Sequence, residues 1–167
     1  MRCITAELYA SLEPYIQIPS DSSETKKATY SKFEKLLFEL NSADTSELIK
    51  IYGIGSYTSM QIVKYRNLLG GYVSVKQLKE VPGIHEEAFN LILDKFTLDS
   101  SKVTKLNINT ATVEEMKKHP YIKYNLANLI VNYRKQHGNY KSVEEIKKLD
   151  LVNDELFAKL APYLTIE

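Results

Sequence analysis

The sequence repeats itself at a constant spacing of 68 residues. Residues 40–98 align with residues 108–166 without a gap, and 17 of the 59 aligned pairs are identical. Most of the remaining apolar positions stay apolar in both copies. A fixed period of this kind is typical of one supersecondary unit that is built more than once, so the unit determines the fold.

Each copy contains a shorter internal repeat of about 30 residues. Residues 48–55, which end in Gly53-Ile54-Gly55, return as residues 78–85, which end in Gly83-Ile84-His85. The pattern predicts a helix, a tight turn and a second helix. We name the four such turns hairpin one (residues 51–58), hairpin two (83–87), hairpin three (121–125) and hairpin four (151–155).

Helix start and stop signals predict an all-α fold with four helices in each repeat. Four helices open on a Ser, Thr or Asp that is followed three residues later by Glu or Gln, the pattern of a capping box. These pairs are Asp44 with Glu47, Ser74 with Gln77, Thr112 with Glu115 and Ser142 with Glu145. Gly70-Gly71 and Gly138-Asn139 supply the positive φ that ends a helix, and no segment shows sustained strand alternation. The predicted helices span residues 44–51, 56–68, 75–80, 86–95, 112–118, 124–136, 143–148 and 154–161.

The beginning of the chain matches the end of the chain. Residues 6–18 resemble residues 154–166, which predicts the last helix of a third repeat. The simplest explanation is a fragment of a longer protein. The alternative is a helix that docks on a neighbouring repeat as a cap, because a lone helix of about a dozen residues is marginal in water. The predicted organisation is a terminal helix (1–18), a polar linker (19–39), the first repeat (40–98), a joint (99–104) and the second repeat (105–167).

The charge balance argues against strong, general attraction to nucleic acid. The chain has a net charge of +1; residues 41–98 carry six basic and six acidic side chains, and residues 105–167 carry ten and eight. Dedicated duplex-binding domains usually have a clear basic excess. Any affinity for nucleic acid must therefore come from local geometry or a local patch.

Other sequence features narrow the class of protein. The sequence has no 18-residue apolar run that would span a membrane, no apolar stretch of signal-peptide length at the N-terminus, and a single Cys3, which excludes an internal disulfide. We find no nucleophile–base set, P-loop or nuclease-type carboxylate cluster, so we expect no enzyme in this sequence. His85, His119 and His137 share no metal-ligand spacing, and we expect no zinc site.

Hairpin one has the strongest phosphate-binding pattern. Its two glycines permit a tight reversal, and a buried Ile54 would fix the turn to the core. The backbone N–H groups of Gly55, Ser56 and Tyr57 would then lie at a helix N-terminus, which is a ready anion site. We predict that this site binds backbone phosphate through Gly53, Ile54, Gly55, Ser56, Tyr57 and Thr58, with Lys50 and Lys64 in support.

The other three hairpins depart from this pattern. Hairpin three lacks glycine but is basic and aromatic, so we predict a second contact at Lys123 and Tyr124. Hairpins two and four place two acids in the following helix, which stabilises the helix but repels phosphate. We interpret them as structural. In the Tyr65-Arg66 and Tyr133-Arg134 pairs, we expect the tyrosines to pack in the fold and the arginines to extend to solvent or to pair with an acid.

The combined pattern resembles the helix-hairpin-helix family, and within it the bacterial competence DNA-receptor (ComEA-like) group. The resemblance rests on Leu40-Asn41-Ser42-Ala43, Gly53-Ile54-Gly55, Ile62-Val63-Lys64-Tyr65-Arg66 and Gly71-Tyr72-Val73-Ser74-Val75. The second repeat has counterparts of all but the Gly53-Ile54-Gly55 turn, at residues 108–111, 130–134 and 140–143. The resemblance implies tandem helix-hairpin-helix domains that bind double-stranded DNA through the backbone, without base readout. From the low net charge we expect this binding to be weak and salt-dependent. The resemblance also implies that a hairpin turn can hold a monovalent cation, and that the protein works at the cell envelope or in the periplasm, with a cytoplasmic location as the alternative.

Two other functions remain open. In the first, the hairpins have drifted into a structural or protein-interaction array, and the near-zero charge reflects a protein partner. In the second, the chain is the DNA-docking accessory part of a longer protein that carries its chemistry elsewhere. A positive surface that joins hairpins one and three would favour DNA, whereas a patchwork of both signs with exposed apolar area would favour a protein partner.

Overall fold

The two repeats fold into two copies of the same helical arrangement. The structure, a computed structural model, describes residues 37–167. The predicted terminal helix at 1–18 and nearly all of the predicted linker lie outside the described residues. The described residues all belong to one compact unit of the chain.

The elements follow the repeat. The first repeat contains β1 (Phe38–Glu39), α1 (Thr45–Leu48), α2 (Ser56–Leu69), a 3-10 helix (Val75–Glu80), α3 (Glu86–Ile92), a 3-10 helix (Leu93–Lys95) and β2 (Phe96–Thr97). A 3-10 helix (Ser100–Lys102) joins it to the second repeat, which contains β3 (Leu106–Asn107), α4 (Val113–Met116), α5 (Tyr124–His137), a 3-10 helix (Val143–Lys148), α6 (Asp154–Leu160), a 3-10 helix (Ala161–Tyr163) and β4 (Leu164–Thr165).

The predicted all-α class is confirmed, with two corrections of detail. The predicted helices at 75–80 and 143–148 are 3-10 helices, and those at 86–95 and 154–161 end as 3-10 turns. The pairing of short strands was not predicted. They form two parallel pairs, with Phe38 opposite Phe96 and Leu106 opposite Leu164. Each pair joins the entry of a repeat to its exit, so the strand at 38–39, which lies within the predicted linker, closes the first repeat.

One asparagine in each repeat reinforces this closure. The Asn41 side-chain amide donates to the carbonyls of Tyr72 (2.9 Å) and Asp99 (3.0 Å), while its oxygen accepts from the Tyr72 N–H (2.6 Å). Asn109 makes the matching bonds to both backbone groups of Tyr140. Because a buried backbone polar group is costly to leave unpaired, these bonds explain why asparagine occupies both positions.

The capping predictions are largely confirmed. Asp44, Ser74 and Thr112 each form a complete capping box with the predicted partner. The fourth box was wrong, because Ser142 makes no side-chain cap bond. The Glu145 carboxylate accepts instead from the Lys141 N–H at 2.8 Å, one residue earlier. The predicted helix stops at Gly70 and Gly138 both have positive φ.

The tyrosine–arginine pairs are structural in both repeats. The Tyr65 ring lies 6.3 Å from the Tyr72 ring, as the packing prediction required. The prediction for arginine was wrong. Arg66 Nη1 donates to the carbonyls of Leu40 (3.1 Å) and Ala43 (2.7 Å), so its acceptors are backbone groups and not acids. Arg134 donates in the same way to the Ile108 carbonyl at 2.8 Å. The guanidinium groups thus bond the backbone that precedes α1 and α4.

Replacing Arg66 with methionine is expected to destabilise the protein by about 2 kcal/mol, because the carbonyls of Leu40 and Ala43 would lose their charge-assisted donors. Urea unfolding followed by circular dichroism measures this loss. Lys64→Met, on the same helix but at an exposed lysine, is the control and should change stability by less than about 0.5 kcal/mol. Equal losses for the two variants would mean that the arginine bonds contribute nothing.

A hydrogen-bond network fixes the two repeats against each other. The buried Gln77 donates from Nε2 to the hydroxyls of Tyr121 (2.9 Å) and Tyr163 (2.8 Å) in the second repeat. Its oxygen accepts from the N–H groups of Val73 and Ser74. The Tyr121 hydroxyl also donates to Glu80 at 2.7 Å. Burial and the Glu80 carboxylate raise the pKa of Tyr121, so its hydroxyl remains a donor at neutral pH.

His119 is a buried histidine at this junction between repeats. Its ring packs edge-on against Tyr163 (4.9 Å between centroids) and Tyr121 (5.4 Å). Nδ1 accepts from the Tyr121 N–H at 3.3 Å, and the buried Nε2 has no hydrogen-bond partner among the described residues. Burial lowers the pKa of His119 to about 4, although the Leu69 carbonyl opposes this shift. The histidine is therefore neutral at physiological pH.

Candidate nucleic-acid interface

Hairpin one has the backbone geometry that the sequence predicts. Gly53 has a φ of +95°, which glycine adopts at little cost. Ile54 is buried, and its N–H donates to the Ile51 carbonyl at 3.0 Å. Ile54 therefore positions the turn but, contrary to its predicted phosphate contact, offers no free N–H group to a phosphate.

The start of α2 is an open helix N-terminus. Gly55 is the N-cap, and no side chain accepts a hydrogen bond there. Within the described residues, the N–H groups of Gly55, Ser56 and Tyr57 donate to no acceptor, and all three residues are exposed. A 14-residue helix directs its dipole toward this point. The site can therefore accept an anion through main-chain donors.

Hairpins one and two pack against each other. A Cβ atom at Gly83 would lie 3.2 Å from the Tyr57 ring and 3.6 Å from the Thr58 hydroxyl. On the other side, a Cβ atom at Gly53 would lie about 4 Å from Leu91 and Ile92 of α3. The Tyr57 ring, although 58% exposed, and the Thr58 hydroxyl thus lie against the turn of hairpin two.

The structure brings Lys50 to hairpin one but keeps Lys64 apart. Lys50 is exposed and lies three residues before Gly53. Lys64 lies eight residues beyond the first residue of α2, or ~12 Å along the axis. It lines a shallow surface depression with Thr45, Met60, Val63, Asn67 and Leu68. Lys64 therefore sits in a mixed apolar and basic surface and not beside the turn.

Hairpin three has a similar opening without the glycines. Lys123 is the N-cap of α5 and makes no side-chain cap bond. Lys123 and Tyr124 are both exposed, and no ion pair holds the Lys123 ammonium within the described part of the chain. The predicted second contact is therefore accessible, although Tyr121 replaces the glycine of hairpin one.

Hairpins two and four each have an acid that is paired with a lysine of the preceding 3-10 helix. Lys79 bonds Glu86 at 2.7 Å, and Lys147 bonds Asp154 at 2.8 Å, which is the equivalent pair at the offset of 68. Each lysine also lies over a phenylalanine ring, at 4.7 and 4.4 Å from the centroid. In hairpin four, Asn153 caps α6 by accepting from the Leu156 N–H. These contacts favour a structural role for both hairpins.

The turn carbonyls of hairpin one are the candidate ligands for the monovalent cation that the resemblance implies. The carbonyl oxygens of Tyr52 and Gly53 accept no hydrogen bond from the residues that the structure describes. Neutral oxygen donors of this kind suit a hard cation. The same part of the chain holds no cluster of three or more His, Cys, Asp or Glu side chains that could bind a metal.

Sequence reasoning missed one exposed residue of the interface. Tyr52, at the tip of hairpin one, is 86% exposed, the largest value among the exposed large hydrophobic residues. An aromatic side chain so fully exposed beside open main-chain donors is a natural contact for a nucleic acid or a protein. The only available signal was its position before Gly53, which a single sequence does not distinguish from a solvated turn.

The chain matches known proteins over most of its length. The model of the helix-hairpin-helix motif matches twice, at residues 34–97 and 101–165. Endonuclease/exonuclease/phosphatase family domain-containing protein 1 from Danio rerio is 28% identical over 146 residues, covering 77% of this chain and 26% of that protein. The protein of the same name from Homo sapiens is 24% identical over 170 residues, covering 81% and 30%. The chain thus spans about a quarter to a third of the length of these curated relatives.

A bacterial relative matches this chain over about the length of one repeat. ComE operon protein 1 from Bacillus subtilis (strain 168) is 30% identical over 69 residues, which cover 41% of this chain and 34% of that protein. No solved structure matches the chain. No helix in residues 37–167 combines the length and apolar character that a membrane crossing requires. The two motif matches together cover more than half of the chain, and the chain belongs to the helix-hairpin-helix family.

Proposed function

We propose that this chain binds double-stranded DNA through the phosphate backbone, without reading base sequence. The single observation that carries the proposal is the open N-terminus of α2 at hairpin one, where three exposed main-chain N–H groups have no acceptor within the described residues. Phosphate contacts of this type position a duplex but carry no sequence information. The family membership and the ComE operon relative support the same function.

The few lysines near hairpins one and three set the expected affinity for DNA. Lys50 stands beside the turn, Lys123 and Tyr124 add a second foothold, and Lys64 contributes from farther along α2. With so few cations the affinity should be micromolar or weaker, and the slope of log K against log salt should be about −2 to −3. A slope near zero would exclude phosphate contacts as the source of binding.

Replacing Gly55 with aspartate is expected to lower duplex affinity at least about ten-fold, because its carboxylate would cap α2 and occupy the phosphate position. The fold should tolerate the change, since Gly55 has an ordinary φ of −90° and a Cβ there would meet no atom within 4 Å. Fluorescence anisotropy with a random 20-base-pair duplex at low salt measures the affinity.

His85→Asp is the matched control. His85 is the N-cap of α3 in hairpin two and, like Gly55, makes no side-chain cap bond. The variant adds the same charge at the equivalent position of a hairpin that we interpret as structural, so its affinity should change by less than about two-fold. Equal losses in both variants would show that net charge, and not hairpin one, governs binding.

A finer proposal is that the DNA-binding segment serves a longer protein. The matched relatives are named for an endonuclease/exonuclease/phosphatase domain, and this chain corresponds to about a quarter to a third of their length. In that case the chain would deliver DNA to chemistry carried elsewhere. This role is tested by measuring duplex affinity and nuclease activity for the longest gene product and for residues 1–167. Nuclease activity in residues 1–167 alone would contradict the proposal.

The resemblance to competence receptors favours a role in DNA uptake at the cell envelope. Deleting the gene should then lower the uptake of labelled duplex by intact cells. Unchanged uptake would exclude this role while leaving DNA binding itself open to the anisotropy test.

A further inference from the structure

The exposed aromatic side chains of the described residues are concentrated at hairpins one and three. Of the tyrosines and phenylalanines in residues 37–167, only Tyr52, Tyr57 and Tyr124 are exposed, at 86%, 58% and 58%. Tyr52 and Tyr57 belong to hairpin one, and Tyr124 belongs to hairpin three. The sequences of hairpins two and four contain no tyrosine or phenylalanine. The exposed rings therefore lie on the same two hairpins as the open helix N-termini.

The fold does not require an aromatic ring at position 52. The equivalent residue is Pro82 before hairpin two, Pro120 before hairpin three and Asp150 before hairpin four. The Tyr52 side chain forms no hydrogen bond and no ring contact with any residue in 37–167. A large apolar side chain that has no packing role and lies beside a phosphate site is best explained by a contact with the ligand.

Tyr124 has a similar setting in hairpin three. It is the first residue of α5 and directly follows the N-cap Lys123. Within the described part of the chain, its ring and hydroxyl also form no hydrogen bond and no ring contact. Tyr57 differs, because its ring lies against the turn of hairpin two. Tyr52 and Tyr124 are therefore the two rings that are free to meet a ligand.

The ligand that combines phosphates with flat apolar faces is single-stranded nucleic acid. In a duplex the bases stack on one another, and a protein reaches only their edges through the grooves. An unpaired base offers its face, and stacking on an aromatic side chain strengthens binding on the order of ten-fold or more per base. Stacking also needs little charge, which suits a first repeat whose residues 41–98 carry six basic and six acidic side chains.

We infer that Tyr52 and Tyr124 stack on unpaired bases, so that DNA with a single-stranded segment is the preferred ligand of this protein. The inference rests on the proposed function, since each ring acts beside a phosphate held at the N-terminus of α2 or α5. Tyr52 contributes more, because it is the more exposed ring and lies on the hairpin with the glycine turn. The lysines set the salt dependence of binding, and the tyrosines supply the preference for unpaired bases.

Fluorescence anisotropy with three DNA probes tests the inference. The first probe is a blunt 20-base-pair duplex, the second adds a tail of five thymidines, and the third adds a tail of five abasic nucleotides. Both tails add the same phosphates, but only the thymidine tail adds bases. The thymidine-tailed duplex should bind about ten-fold more tightly than the abasic-tailed duplex. The abasic-tailed duplex should match the blunt duplex within about two-fold.

Tyr52→Ala should remove most of this ten-fold preference, whereas Tyr52→Phe should keep it, because stacking needs the ring and not the hydroxyl. Tyr124→Ala should lower the preference by about three-fold. Leu151→Ala, at an exposed leucine of hairpin four, is the control and should leave the preference unchanged. Circular dichroism melting reports whether each variant is folded. A measurement on the unmodified protein is independent of the variants: 2-aminopurine in the tail should lose fluorescence on binding, because stacking quenches it.

The outcomes separate this inference from the proposed function. Equal affinities for the thymidine and abasic tails would overturn the inference, and a loss of that binding in Gly55→Asp would show that the proposed function still holds. A full preference for thymidine in Tyr52→Ala would also overturn the inference. Binding of the thymidine-tailed DNA without measurable binding of the blunt duplex would support the inference and contradict duplex binding. The absence of binding to all three probes would overturn both.

Discussion

Replacing Gly70 with alanine is expected to destabilise the protein by about 3 kcal/mol or more, combining backbone strain with a steric clash. Gly70 ends α2 with φ +80° and ψ 10°, a left-handed conformation. A Cβ atom there would lie 2.6 Å from the Thr104 carbonyl oxygen. That backbone cannot retreat easily, because the Thr104 N–H donates to the Gly70 carbonyl at 2.7 Å. The change would therefore push apart the end of α2 and the entry to the second repeat.

Urea unfolding measures the loss of stability in Gly70→Ala. Substitutions of Gly53 and Gly55 in hairpin one separate the effect of the positive φ from that of the clash. Gly53→Ala has the positive φ without the clash, since its nearest neighbours are 3.9 and 4.0 Å away, and should cost about 1–2 kcal/mol. Gly55→Ala has neither, and should cost only about 0.5–1 kcal/mol because alanine is a poorer N-cap than glycine. The clash would be disproved if Gly70→Ala lost no more stability than Gly53→Ala.

The free energy of unfolding is expected to fall by about 2 kcal/mol between pH 7 and pH 5, and by about 3 kcal/mol by pH 4, because of His119. Burial lowers its pKa from 6.5 to about 4 in the folded protein. Below pH 6.5 the unfolded chain gains a proton that the folded chain rejects, so acid favours unfolding. The contribution of His119 to the free energy of unfolding is fully present above its unfolded pKa of 6.5. It declines as the pH falls to the folded pKa of about 4.

Urea unfolding at several pH values checks this prediction, with His119→Gln as the control. The glutamine does not titrate, so the variant should show a much flatter profile between pH 7 and pH 5. Equal slopes in both proteins would assign the loss to other groups. At lower pH the carboxylates contribute.

Glu39 is the main example of such a carboxylate. Burial opposes its charged form, but hydrogen bonds from Ser42, Lys102 and the N–H groups of Asn41 and Asp99 outweigh burial and lower its pKa to about 2. The resulting stability is present above pH 4.5 and is lost as the pH falls toward 2. Glu39 therefore contributes little between pH 7 and pH 5, the range in which His119→Gln is compared with the unmodified protein.

The local features of the fold were predictable because they depend on neighbouring residues. Helix starts at Asp44, Ser74 and Thr112 are specified by a side chain and its partner three residues away. Ser142 shows the limit of this reasoning, because Glu145 found a competing donor in the Lys141 N–H. Boundaries were less predictable, since 3-10 turns and α-helices share most of their sequence signals.

The candidate site was predictable only at the turn itself. The Gly53-Ile54-Gly55 geometry follows from local conformation, so its open helix N-terminus could be expected from the sequence. Lys64 was grouped with the turn because it lies on the same helix, yet the helix rise carries it ~12 Å away. The packing of Tyr57 on Gly83 joins residues 26 positions apart, and no local signal reports it.

The sequence by itself determined the repeated helical unit, its caps, its glycine stops and the one hairpin suited to phosphate, because each of these depends on residues within a turn or two of one another. Only the tertiary structure decided how the two repeats join. The bonds from Gln77 to Tyr121 and Tyr163 connect residues 44 and 86 positions apart. It also decided that the Tyr57 ring lies over Gly83, two positions that Asn125 and Leu151 occupy in the second repeat. Such contacts depend on which faces pack together, and periodicity along a single chain leaves that choice open.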